Sequence, residues 1–96
     1  MTAYVIAKVK ATGDEEELAE YRAQVQATLE PYGGRYLVRG GAVEVLEGDP
    51  EPGRIVVLEF PDAEAARAWN DSPEYQRIAP LRIRNTDSDR LIVTGL

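Results

Sequence analysis

The sequence contains no cysteine and no histidine. The first absence excludes disulfides, thiolate catalysis and cysteine-held metals. The second removes the commonest general base near neutral pH, the commonest zinc ligand and the usual haem ligand. Tryptophan, phenylalanine and methionine occur once each. Long apolar runs are missing too. The longest unbroken one is Ala3–Ala7, against the ~20 residues that cross a bilayer. Met1–Lys8 has neither the basic start nor the extended apolar segment of a secretory leader. Bases are few: 17 acids against 11 bases give a net charge of −6, and no segment forms a basic patch. That argues against nucleic acid and anionic membranes as partners. The expectation is a soluble cytoplasmic protein without metal or cofactor.

What is present reads as one domain over residues 1–96. A domain of this size buries roughly 60–68% of the surface of its unfolded chain, so its core is modest. Ala3–Val9 is rich in β-branched and aromatic residues and predicts a strand, ended by Thr12-Gly13. Asp14 predicts a helix cap, and Leu18, Tyr21, Val25, Thr28, Leu29 and Tyr32 recur at helical spacing. Pro31 and Gly33 end that helix.

The glycine-rich stretch Tyr32–Gly48 follows. It predicts strand Arg35–Arg39, a bulge or bend at Gly40-Gly41, and further strand over Val43–Glu47. Gly48–Gly53 is turn chemistry, and Arg54–Phe60 is the third strand. Asp62 caps a second helix bearing Ala65, Ala66 and Trp69; Ser72-Pro73 restarts it as far as Ala79, before Pro80. Leu81–Asp89 reads as polar and irregular, and Arg90–Thr94 as the last strand. The order is βαββαβ, an α+β ferredoxin-like pattern: a four-stranded antiparallel sheet with two helices on one face.

A sheet covered on one side should be polar on the other. Here it is not. Ala3, Val5, Ala7 and Val9 alternate with Tyr4, Ile6 and Lys8; Val56, Leu58 and Phe60 alternate with Ile55, Val57 and Glu59; Leu91 and Val93 flank Ile92. Both faces are largely apolar, which predicts a homodimer paired through its sheets.

The candidate functional residues are Tyr4, Arg39, Glu59 and Trp69. Glu59 interrupts an apolar strand. It is either a carboxylate of raised pKa, able to act as acid or base, or one half of an ion pair. Arg39 suits an anionic ligand, or a structural pair with Glu59 or Glu44. Trp69, with Tyr21 and Tyr32, is either core or the aromatic lining of a pocket. Tyr75 and Arg82 either rim a cleft or lie on the surface. Gly33-Gly34 and Gly40-Gly41 open no helix and precede no lysine-serine/threonine pair, so they make no phosphate loop.

The ordered set Ala3-Tyr4-Val5-Ile6-Ala7, Tyr21, Tyr32–Gly48, Val56–Pro61, Ala65–Trp69, Asp71–Tyr75 and Leu81-Arg82 resembles a bacterial family, domain of unknown function 1330. The resemblance covers nearly the whole chain. It implies a dimeric α+β barrel, in which two ferredoxin-like units enclose a space between their sheets. Relatives in that superfamily include cofactor-independent monooxygenases, haem enzymes and lactone isomerases, and the resemblance implies no particular reaction. Three readings stand. One is a homodimer binding a small organic ligand in the inter-sheet space, near Tyr4, Arg39, Glu59 and Trp69. Another is a cofactor-independent oxygenase or isomerase with Glu59 as base and Arg39 steadying an enolate-like anion. The third is an interaction module with a filled barrel.

Overall fold

A computed structural model describes all residues 1–96. The elements are β1 (Ala3–Ala11), α1 (Glu15–Leu29), a 3-10 turn (Glu30–Tyr32), β2 (Arg35–Arg39), β3 (Arg54–Phe60), α2 (Ala63–Asn70), α3 (Pro73–Ile83) and β4 (Thr86–Thr94). All strand pairs are antiparallel, in the order β2-β3-β1-β4. The fold is ferredoxin-like, with the second helix divided into α2 and α3.

The caps are those the sequence announces. Asp14 accepts from the Glu16 amide at 2.8 Å, Asp62 from Ala65 at 2.7 Å and Ser72 from Tyr75 at 3.1 Å. Each satisfies an amide that has no partner within its helix. Gly33 takes a left-handed φ of 71° and its amide closes the turn onto Glu30. Alternation along the strands sorts the sheet. Val5, Leu58 and Phe60 join Val25 and Leu29 of α1, Ala66 and Trp69 of α2, and Tyr75, Ile78 and Ala79 of α3 in one core. The other face keeps Ile6, Val38, Leu91 and Val93 exposed, at 37%, 38%, 61% and 42%.

Two expectations need correction and a third is narrowed. Val43–Glu47 is not a strand: residues 40–53 carry no regular structure, and Val43, Val45 and Leu46 are exposed. β2 is the sheet edge, and its last backbone bond toward β3 runs from the Gly40 amide to Ile55 at 2.8 Å. Beyond it an alternating sequence has no strand to pair with. Of the bulge or bend expected at Gly40-Gly41, the bend is what forms, at Gly40. The register shift falls between Tyr36 and Val38, while Gly40 turns the chain at φ 70°.

Leu81–Asp89 is ordered rather than irregular. α3 runs through Pro80 to Ile83, because Tyr75, Ile78, Ala79 and Arg82 are buried along it. Tertiary packing outweighs the ~3 kcal/mol that an interior proline costs. β4 then begins at Thr86, its polar half set opposite β1 so that Asp87 faces Lys10 and Asp89 faces Lys8. Opposite charges across a strand pair favour that register.

Candidate ligand-binding site

The helices do not fill the whole helix-facing side of the sheet. They leave a cavity of about 320 Å³. Its floor is the sheet: Val5, Ala7 and Val9 of β1, Val56 and Leu58 of β3, and Tyr36 of β2. Leu18, Tyr21 and Val25 of α1 and Trp69 of α2 form the apolar walls. Ala7, a small residue on a central strand, is one reason the space exists.

The charged lining is of one sign. Lys10, Arg22, Arg39, Arg54, Arg82 and Arg90 line the cavity, and no aspartate or glutamate does. Arg22 pairs with Glu15. The other five have no carboxylate oxygen within 4.0 Å; the remaining ion pairs are Arg35–Glu59 and Arg84–Glu17. Arg82 is only 8% exposed, and its Nε donates to the Tyr75 hydroxyl at 3.3 Å. A buried guanidinium lacking a counter-ion is costly, so its retention in an acidic chain marks the site.

The cations rest on aromatic rings. The Arg39 guanidinium lies 4.5 Å from the centre of the Tyr36 ring, and Arg39 Nη2 donates to the Arg22 carbonyl at 3.3 Å. Arg90 lies 5.3 Å from the Tyr75 ring and 5.7 Å from Trp69. Such stacking holds a guanidinium without neutralising it. Arg54 donates to the Arg39 carbonyl at 3.3 Å and passes over Gly40, where a Cβ would fall 2.0 Å from its Nε.

Hydroxyls complete the wall. Tyr21 and Tyr75 share a hydrogen bond of 2.8 Å. Burial first, then the neighbouring Tyr75, raises the Tyr21 pKa well above its ordinary value, against the opposing pull of Arg82 and Arg90. Burial also raises the Tyr36 pKa, while Arg39 and Arg54 pull it down. Both phenols are therefore protonated donors at neutral pH. The indole N–H of Trp69 is already used, donating to Thr28 Oγ1 at 3.0 Å, so Trp69 offers only its ring. No cluster of three or more metal-ligating side chains forms, and no helix is long and apolar enough to cross a membrane.

The four residues singled out in the sequence do not converge within the protomer. Arg39 and Trp69 line the cavity. Tyr4 and Glu59 pair with each other in register on the opposite face of the sheet. There Glu59 accepts from Arg35 Nε at 2.7 Å and is ion-paired with it, and Arg39 pairs with neither Glu59 nor Glu44. Tyr75 is fully buried in the core, and Arg82 lines the cavity rather than the surface. Arg54 and Arg90 were not singled out, yet a signal existed. Arg90 has the same strand parity as Ile92, and Arg54 the same as Val56, which puts a charge on each strand's helix-facing side.

The sequence profile of the domain of unknown function DUF1330 matches residues 2–96. The chain belongs to the DUF1330 family. None of the curated proteins matches this DUF1330 chain. Among solved structures it is similar to a protein of unknown function from Rhodopseudomonas palustris, at 19% identity and TM-score 0.75, over 99% of this chain and 82% of that one. A dimeric ferredoxin-like protein of unknown function from Jannaschia is similar at 16% identity and TM-score 0.74, over 99% and 100%. A variant of SnoaB, a cofactor-independent oxygenase from Streptomyces nogalater, is similar at 16% identity and TM-score 0.72, over 98% and 92%. At these identities the likenesses show that DUF1330 shares the fold.

Proposed function

We propose that this DUF1330 protein binds a small aromatic anion in the cavity between its sheet and its helices. One observation carries the reading: an apolar, ring-lined space of about 320 Å³ whose only charged side chains are cationic, in a chain of net charge −6. An apolar pocket with a few convergent polar groups is the usual form of a small-molecule site. The unpaired arginines select carboxylates, phenolates or enolates. A ligand held there sits inside one protomer, not between two sheets.

Binding is favoured over catalysis because the cavity holds no carboxylate and no histidine, and Tyr21 and Tyr36 hold their protons. Proton abstraction has no base there. The pairing of Glu59 as base with Arg39 as anion holder also loses support, since the sheet lies between them. The test is calorimetry with biphenyl-4-carboxylate and its neutral amide, biphenyl-4-carboxamide. The acid is expected to bind and the amide to bind at least about tenfold more weakly, a difference of ~1.4 kcal/mol. Equal affinity, or no binding by the acid, overturns the reading.

The second part of the proposal is a homodimer paired through the other sheet face. Its support is the exposed apolar patch of Ile6, Val38, Leu91 and Val93, together with the dimeric description of the similar Jannaschia protein. Light scattering at micromolar concentration should give twice the 10.6 kDa chain mass, and Leu91→Asp should give the monomer. A monomeric wild type refutes it.

A further inference from the structure

Two of the cavity's six cations, Arg39 and Arg90, stand at the ends of one row. Backbone register links Arg39 to Val56, Val56 to Ala7, and Ala7 to Arg90. These four residues form one row straight across the sheet, and all four line the cavity. Partners in an antiparallel pair project from the same face, so the row reads cation, valine, alanine, cation. β2 and β4 are the two edges of the sheet. Three strand spacings separate them, so the backbones of Arg39 and Arg90 stand roughly 14 Å apart.

Each guanidinium is held at its own end. Arg39 stacks on Tyr36 and reaches the Arg22 carbonyl of α1. Arg90 stacks on Tyr75 and Trp69, beneath α3 and α2. Between their two strands the row holds only the small side chains of Val56 and Ala7. The result is an apolar trough with a positive pole at either end.

Resting on the reading that the cavity binds an aromatic anion, we infer that its ligand carries two acidic oxygen groups at opposite ends of an apolar, aromatic body. A monoanion pairs with one pole and leaves the other without a counter-ion. A dianion with both charges at one end does the same. Only a rod-shaped molecule charged at both ends pairs both guanidiniums while its rings lie on Val56 and Ala7 and against Trp69.

The test uses three acids of one scaffold: biphenyl-4-carboxylate, biphenyl-3,4-dicarboxylate and biphenyl-4,4′-dicarboxylate. Calorimetry on the wild type is expected to show the 4,4′ compound binding at least about tenfold tighter than either other acid. Arg39→Gln and Arg90→Gln should each erase that advantage while still binding the monoacid. If Arg90→Gln does not fold, Arg39→Gln at the exposed edge makes the same test alone. If the 3,4 compound matches the 4,4′ compound, or the monoacid does, the two-pole inference fails while anion binding stands. If no acid binds the wild type, both fall together.

Discussion

Whether the space above β1 is a true cavity can be decided by the sign of a stability change. Ala7 is 7% exposed and forms part of the cavity floor. Ala7→Ile adds three carbons into a space of about 320 Å³, and isoleucine suits a strand. Each carbon removed from water contributes ~0.8 kcal/mol, so the gain is up to ~2.4 kcal/mol. Ordering the longer side chain costs ~0.5–1 kcal/mol. The net is a stabilisation of ~1.5 kcal/mol, which for a domain of this size raises Tm by roughly 6–12 °C. Ala66 supplies the contrast. It is fully buried in the packed core and does not line the cavity. The same three carbons there overpack, costing ~1–3 kcal/mol and at least about 4 °C. Thermal melts followed by circular dichroism read both. Ala7→Ile should also abolish binding of biphenyl-4-carboxylate. If Ala7→Ile destabilises as much as Ala66→Ile, the space is not available and the argument from cavity to ligand collapses.

Four further substitutions probe the frame of the site. Gly34→Ala would set a Cβ 2.6 Å from Phe60 Cε1 and 3.1 Å from Leu29 Cδ2, both side chains being fully buried. Melting should fall by at least about 4 °C, whereas Gly41→Ala, with no atom within 4 Å, should melt no lower than wild type. Thr28→Val removes the acceptor of the Trp69 indole N–H, a 3.0 Å bond in the core. Urea unfolding should show a loss of ~1–3 kcal/mol, the cost of an unpaired buried donor; an unchanged midpoint would mean that the indole finds another acceptor. Glu17 is held at a pKa of about 2, below the ordinary 4.5, first by its hydrogen bond to Arg84 and then by Asn85. A depressed carboxylate stabilises the fold fully above its unfolded pKa and loses that stabilisation as pH falls through its folded one. Unfolding midpoints should therefore decline from about pH 4.5 down to about pH 2, and Glu17→Gln should flatten that decline. An unaltered slope would show that other carboxylates carry it.

The parts of the fold governed by local rules could be read in advance. Asp14, Asp62 and Ser72 cap the helices they announce, and the alternation of Val56, Leu58 and Phe60 with Ile55, Val57 and Glu59 sets the two faces of β3. What escaped depended on partners. Val43–Glu47 has the pattern of a strand and nothing to pair with. Thr86–Asp89 looks like a loop and is a strand because Lys8 and Lys10 stand opposite its aspartates. The site divided the same way. Trp69 and Arg39 were legible as an aromatic and a cation of interest. That a space opens above Ala7, on the helix side, depends on how far three helices stand from the sheet, and no local pattern encodes that distance.

One irregularity separates Arg39 from Glu59. Strict alternation from Arg35 would place Leu37 and Arg39 on Arg35's side, which is the face of Glu59 and Tyr4. The register shows Arg35 opposite Glu59 and Tyr36 opposite Leu58, but then Val38 opposite Val57 and Arg39 opposite Val56. Leu37 is the extra residue. In a strand of period two, one inserted residue exchanges the faces of everything after it. The bulge therefore moves Arg39 from the open face into the cavity, and Val38 from the cavity side onto the open apolar face. A single residue supplies the site with its outer cation and the exposed patch with one of its apolar members. Without it the row across the sheet would begin at Val38, and Arg39 would stand opposite Ile55 on the open face, away from the cavity.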